Sequence, residues 1–175
     1  MGEAERLGRE RGLRAAVLAG DARAWQTWYD ESFATLDAYV VWRCGGLRDL
    51  ADEIVQETWL TAVRRIRQFD PDRGAFVGWL CGIAANLLRN HLRRRPARPA
   101  SLNGDLPARS QEQSLRVAAA LAELPEHYER VLRQKYLERK GVTEIAAESG
   151  DTLKAIESLL SRARAAFKAA YGSED

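Results

Sequence analysis

One stretch, PARPASLNGDLPARS at positions 96–110, constrains this chain most. It holds three of the five prolines and almost no large apolar side chain. Proline fixes φ, removes a backbone donor and pushes the preceding residue out of the helical region. Such a segment cannot continue a helix and has little to bury, which is the signature of a linker. It predicts a tail at 1–12, a first unit at 13–95, a linker at 96–111 and a second unit at 112–175. On both sides Ala, Leu, Arg and Glu dominate, all strong helix formers. No strand-like alternation of useful length and no internal repeat is present. The expected fold class is all-α: two small helical domains joined by a Pro-containing linker.

In the first unit a helical pattern breaks at Gly20-Asp21, and Asp21 is the expected N-cap of the helix carrying Trp25, Trp28 and Tyr29. Gly45-Gly46 ends that helix, and Asp49 or Asp52 starts the next. Val55, Trp59, Ala62 and Ile66 recur at i, i+4, i+7 and i+11, the spacing of a core stripe. Glu53, Gln56 and Leu60 fall on another face, flanked by Asp52 and Glu57. Pro71 and Gly74 then break the chain. Phe76, Leu80, Ile83 and Leu87 repeat the same spacing, while Trp79, Asn86, Asn90 and Arg93 share a different side.

Two readings of the acidic helix stand side by side. Asp52, Glu53, Gln56 and Glu57 form a face able to accept bonds from Arg or Lys on a partner helix. Acids near a helix start also suit the helix dipole with no partner at all. The next segment has a similar choice. Single strands of nucleic acid are held by a basic groove with aromatic platforms, and an unstacked base is read by amides on its hydrogen-bonding edge. Phe69, Trp79, Asn86, Asn90, Arg93, Arg94 and Arg95 supply those parts. Alternatively Phe69 and Trp79 belong to the core and Asn86 is merely solvated.

In the second unit Leu124-Pro125 opens a helix that runs through Leu137, and Gly141 ends it. Thr143 is the expected cap of a short helix, TEIAAES. Gly150 makes a turn, and Asp151 or Thr152 caps a last helix to about Tyr171. Two helices joined by a Gly-containing turn fit a helix-turn-helix, whose second helix enters a major groove. Lys154, Glu157, Ser158, Ser161 and Arg162 point outward in this scheme, and Ile156, Leu160 and Ala163 pack. A small helical hairpin with no DNA role has the same pattern.

Composition excludes several classes. No apolar run approaches the ~20 residues of a membrane helix, and the charged start, MGEAERLGRERG, has no apolar core of a secretory signal. A cytoplasmic protein without membrane insertion is expected. The two cysteines, Cys44 and Cys81, form no C-x-x-C pair and read as reduced, partly buried thiols. His91 and His127 lack a Cys, Asp or Ser at motif spacing, so no metal, no cofactor and no catalysis are expected. Net charge is only +2, but Arg89, Arg93, Arg94, Arg95 and Arg98 cluster apart from Asp49, Asp52, Glu53 and Glu57. Two different partners, one basic and one polyanionic, fit that asymmetry.

The order of these segments resembles the bacterial RNA polymerase sigma factors of the small extracytoplasmic-function (ECF) type. ADEIVQETWLTAVRRI is similar to their core-polymerase-binding segment. FDPDRGAFVGWLCGIAANLLRNHLRRR is similar to the melting and −10-recognition segment of region 2, and LAELPEHYERVLRQKYLERKGVTEIAAESGDTLKAIESLLSRAR to region 4. The resemblance implies that Asp52, Glu53, Gln56 and Glu57 meet the clamp helices of the polymerase largest subunit. It implies that Phe69 and Asn86 hold a flipped non-template base of the −10 element and that Arg93, Arg94 and Arg95 track phosphates. Region 4 would touch the polymerase flap and the −35 duplex. An anti-sigma factor is a further possible partner. The chain departs from the pattern where many relatives read Val-Lys-Ser-Arg: here the residues are Ile156-Glu157-Ser158-Leu159. The alternative function is a stand-alone helix-turn-helix regulator of duplex DNA, which has no use for the acidic helix or the aromatic turn.

Overall fold

The computed structural model describes residues 2–94 and 108–172. Among them are eight α-helices, two 3-10 turns and no strand. They form two compact units, the first built mainly from the first four helices and the second mainly from the last four.

In the first unit α1 spans Glu3–Leu18, α2 Ala22–Arg43, α3 Arg48–Arg65 and α4 Phe76–Arg94. The boundary expected at residue 12 falls inside α1, so the expected tail is largely helix. Its Glu, Arg, Ala and Leu residues favour a helix, and its polar side chains reach the rest of the unit. Asp21 accepts a bond from the Arg23 N–H at 2.8 Å and so caps the start of α2. Helix α3 packs chiefly on α4. Leu50, Ala51, Ile54, Val55, Thr58 and Ala62 are buried on α3, whereas Trp59 is only half-buried. On α4 the buried row is Phe76, Leu80, Cys81, Ala84 and Leu88. Ile83 and Leu87, expected in the core, are half-buried. Phe76 and Leu80 are thus buried as expected, while beyond them the buried row runs through Cys81, Ala84 and Leu88, one residue on from Ile83 and Leu87.

Between α3 and α4 the chain makes 3-10 turns at Ile66–Gln68 and Pro71–Arg73. Asp70 caps the second by accepting from the Asp72 N–H at 3.0 Å.

In the second unit α5 spans Ala108–Glu123, α6 Glu126–Tyr136, α7 Val142–Ser149 and α8 Leu153–Tyr171. The last four residues of the expected linker, 108–111, are therefore helical. Its remainder and Arg95 lie outside the described residues. The core joins Leu121, Leu124, Val131, Leu132, Ile145, Ala146, Ile156, Leu160 and Ala163. Two expected caps are corrected. The left-handed residue after α6 is Arg139, at φ 56°, not Gly141. Gly141, not Thr143, is the N-cap of α7, because helical geometry already begins at Val142. Gly150 closes α7 at φ 72°, a conformation that favours glycine. Thr152 caps α8 by accepting from the Ala155 N–H at 3.2 Å.

Both cysteines are buried, and they form no disulfide. Burial pushes the Cys44 thiol up to about 12, with nearby Arg43 opposing in part. Among the described residues no helix is long and apolar enough to cross a membrane, and no group of three metal-ligating side chains exists.

Candidate nucleic-acid and protein interfaces

The centre of the first unit is an aromatic cluster. Trp28 stacks on Phe76, and the edge of Phe69 meets both rings at 5.6 and 5.4 Å between centroids. Phe69 is only 2 % exposed. The expectation that it offers a surface platform to a base is corrected: aromatic contacts from α2 and α4 draw it inward. Trp79 is half-buried, with its ring centroid 5.5 Å from Phe69 and 5.8 Å from Phe76.

A cleft of about 540 Å³ opens over this cluster, lined by Gln68, Phe69, Asp70, Arg73, Gly74, Ala75, Gly78 and Trp79. The volume lies in the range of small-ligand sites. One wall is aromatic, one comes from the two 3-10 turns, and Arg73 adds a cation. Gly78 is open to solvent, and a Cβ there would meet nothing within 4 Å. An unstacked base fits this chemistry: a π-face, backbone polar groups and a positive charge.

Asn86 does not line that cleft. It is exposed, two helical turns beyond Trp79, or about 10 Å along the axis. Trp79, Asn86, Asn90 and Arg93 still share one side of α4. The Asn86 carbonyl accepts from Arg89 at 3.0 Å and the Asn90 carbonyl from Arg93 at 3.1 Å. Arg93 and Arg94 are exposed, so the strip becomes basic toward its C-terminal end. The structure thus separates the two members of the expected Phe69–Asn86 pocket into a cleft and a strip.

On α3 the side chains of Asp52, Glu53, Gln56 and Glu57 are all exposed. Beside them lies an apolar groove of about 420 Å³. Tyr29, Phe33, Val55, Trp59, Leu60 and Val63 line it, and Asp52 and Gln56 stand at its edge. Leu60 and Val63 are 51 % and 54 % exposed. Tyr29 bridges the two helices, with ring centroids 5.2 Å from Phe33 and 4.9 Å from Trp59. An exposed apolar patch rimmed by acids is the mark of a protein-docking surface. Sequence reasoning found the acids and missed Tyr29, Phe33 and Val63. The i, i+4 spacing of Tyr29 and Phe33 was the available signal.

In the second unit Lys154, Glu157, Ser158, Ser161 and Arg162 are exposed on α8. Ile156, Leu160 and Ala163 on the same helix are buried. Leu159 packs against the core of this unit. Its apolar character, the departure noted from the family pattern, therefore has an internal explanation.

Comparison with known proteins fits this geometry. The family model for sigma-70 region 2 matches residues 31–98, and that for sigma-70 region 4 matches 114–167. The ECF RNA polymerase sigma factor SigC of Mycobacterium tuberculosis is 31% identical over 175 residues, covering 93% of this chain and 91% of SigC. The chain belongs to the ECF sigma factors. A second member, BldN of Streptomyces coelicolor, is 31% identical over 157 residues; the match covers 83% of this chain and 59% of BldN. Among solved structures, CnrH in complex with the cytosolic domain of CnrY is 28% identical, with a TM-score of 0.52, covering 92% of this chain and 96% of CnrH. In sigma-factor terms, α3, the aromatic cleft and α4 lie within the region 2 match, and α8 up to residue 167 within the region 4 match.

Proposed function

We propose that this ECF sigma factor docks on core RNA polymerase through the α2–α3 groove, directs it to promoters and helps open the DNA with the cleft and strip of its first unit. One observation supports the reading above all: a groove suited to protein and a cleft suited to an unpaired base share one small unit. Asp52, Glu53, Gln56 and Glu57 meet basic groups of the clamp helices while Leu60 and Val63 bury apolar area. Trp79 and the cleft take one unstacked base. Asn86 and Asn90 read further bases, and Arg93, Arg94 and Arg95 hold phosphates. Exposed residues of α8 read the −35 duplex.

No bond chemistry is needed, so the protein acts without catalysis, in the cytoplasm beside the polymerase. Open and closed promoter states are in equilibrium, and a protein that prefers the open strand shifts it by its differential affinity. Base–aromatic stacking contributes about 1–3 kcal/mol per base. CnrH is bound by the cytosolic domain of CnrY; a partner of that kind here would compete with polymerase for the groove.

Reconstitution tests the reading. The purified chain should bind core polymerase and then support run-off transcription from a subset of promoters. Tight binding to duplex DNA with no affinity for core polymerase would instead establish a stand-alone helix-turn-helix regulator.

A further inference from the structure

Three side chains on one face of α1 hold the segment that walls the cleft. Arg14 donates through Nε to the Phe69 carbonyl at 2.8 Å and through Nη2 to the Arg67 carbonyl at 3.2 Å. Arg11 pairs with Asp72 in the second 3-10 turn. Glu10, one turn before Arg14, spends its two oxygens on two elements. Oε2 accepts from the Trp28 indole N–H and Oε1 from the Phe76 backbone N–H, both at 3.0 Å. Trp28 and Phe76 are the stacked pair beneath the cleft.

Each bond has a physical reason to matter. The segment from Ile66 to Ala75 has few backbone bonds of its own, Phe69 N–H to Ile66 and Arg73 N–H to Asp70 among them. A planar guanidinium bonded to two carbonyls two residues apart fixes the path of the chain between them. Phe76 is the first residue of α4, and its N–H has no partner within the helix. A carboxylate there satisfies it and suits the positive end of the dipole. Glu10, Arg11 and Arg14 do not line the cleft. They act through Phe69, Asp72, Trp28 and Phe76. Helix α1 also precedes the span matched by the region 2 family model, which starts at residue 31.

We propose that α1 sets the shape of the base-binding cleft, with Arg14 and Glu10 as positioning residues for capture of the unpaired strand. The proposal rests on the cleft being the single-strand site. It makes an element outside the region 2 match a determinant of promoter opening rather than a mere stabiliser of the unit.

The test uses holoenzyme and a single-stranded oligonucleotide carrying the −10 sequence, with each base replaced in turn by an abasic site. Wild-type holoenzyme should lose affinity roughly tenfold at the one position whose base enters the cleft. Arg14→Ala holoenzyme should bind the intact strand as weakly as wild type binds the abasic one, with no further loss on base removal. Arg14→Lys keeps the charge but has no fork, and should behave like Arg14→Ala; it decides the matter if Arg14→Ala fails to assemble. Glu10→Gln, which keeps one acceptor, should lose part of the penalty. Core affinity should be unchanged in the assembled variants, which a general loss of folding would not allow. A full abasic penalty retained in the Arg14 variants overturns the role of α1 alone. No penalty at any position in wild type overturns the cleft, and this role with it.

Discussion

The Trp28 indole lies flat on the Phe76 ring, with 4.0 Å between centroids and 7° between planes. Trp28 belongs to α2 and Phe76 opens α4, so this one contact joins a helix of the apolar groove to the base of the cleft. Both rings are almost wholly buried, at 2 % and 1 % exposure. Trp28→Ala removes a large ring from a close-packed site and should cost about 3–5 kcal/mol of unfolding free energy, with Trp28→Phe costing less. Denaturant unfolding followed by circular dichroism measures both. Equal stability of the two variants would mean that the stack does not organise the unit.

The proposed polymerase face should separate from the fold. Glu53 and Gln56 are exposed and lie outside the buried row of α3. The double change Glu53→Lys, Gln56→Ala should abolish core binding in a pull-down while leaving the circular dichroism spectrum native. Leu60→Asp, at the groove edge, should weaken the same complex by desolvation of a new charge. Unchanged affinity in both variants would place docking elsewhere.

Asn86 should act after assembly. Asn86→Ala removes an exposed amide whose only described partner is Arg89, so holoenzyme formation should be intact. Permanganate footprints should show less melting, and a pre-opened bubble should recover part of the loss because duplex opening no longer opposes the complex. Equal footprints for variant and wild type would exclude Asn86 from strand recognition.

On α8, Glu157 is exposed between Lys154 and Arg162. A carboxylate in the major groove accepts from cytosine N4. Glu157→Ala should therefore relax preference at one upstream base pair by about 1–3 kcal/mol. Affinities on single-base variants at two salt concentrations check this. Tighter binding on every sequence with a steeper salt dependence would put Glu157 against phosphates instead.

Some of this architecture was legible before any coordinates. Helix-forming composition on either side of a proline cluster predicts two helical units. Long-range order along the chain predicts the family. Period-3.6 spacing found Val55 and Ala62 on α3, Ile66 in the turn that follows it, and Ile156, Leu160 and Ala163 on α8, because a helix facing one neighbour must bury one row. Exposure of the acids on α3 and of Lys154, Ser158 and Arg162 on α8 is the complement of the same rule.

Tertiary structure decided the rest. Ile83 and Ala84 are adjacent in sequence, and only the approach of α3 selects the row of Ala84 and Leu88 over that of Ile83 and Leu87. Phe69 sits in a turn, where no period says whether a ring goes inward; Trp28 and Phe76 supply the partners that draw it in. The groove needs Tyr29 and Phe33 from α2 beside Leu60 and Val63 from α3. The hold of Glu10 and Arg14 on the cleft spans 66 and 55 residues of sequence. Local propensity and periodicity specify helices and their apolar faces. Sites made by side chains distant in sequence exist only once packing brings those faces together.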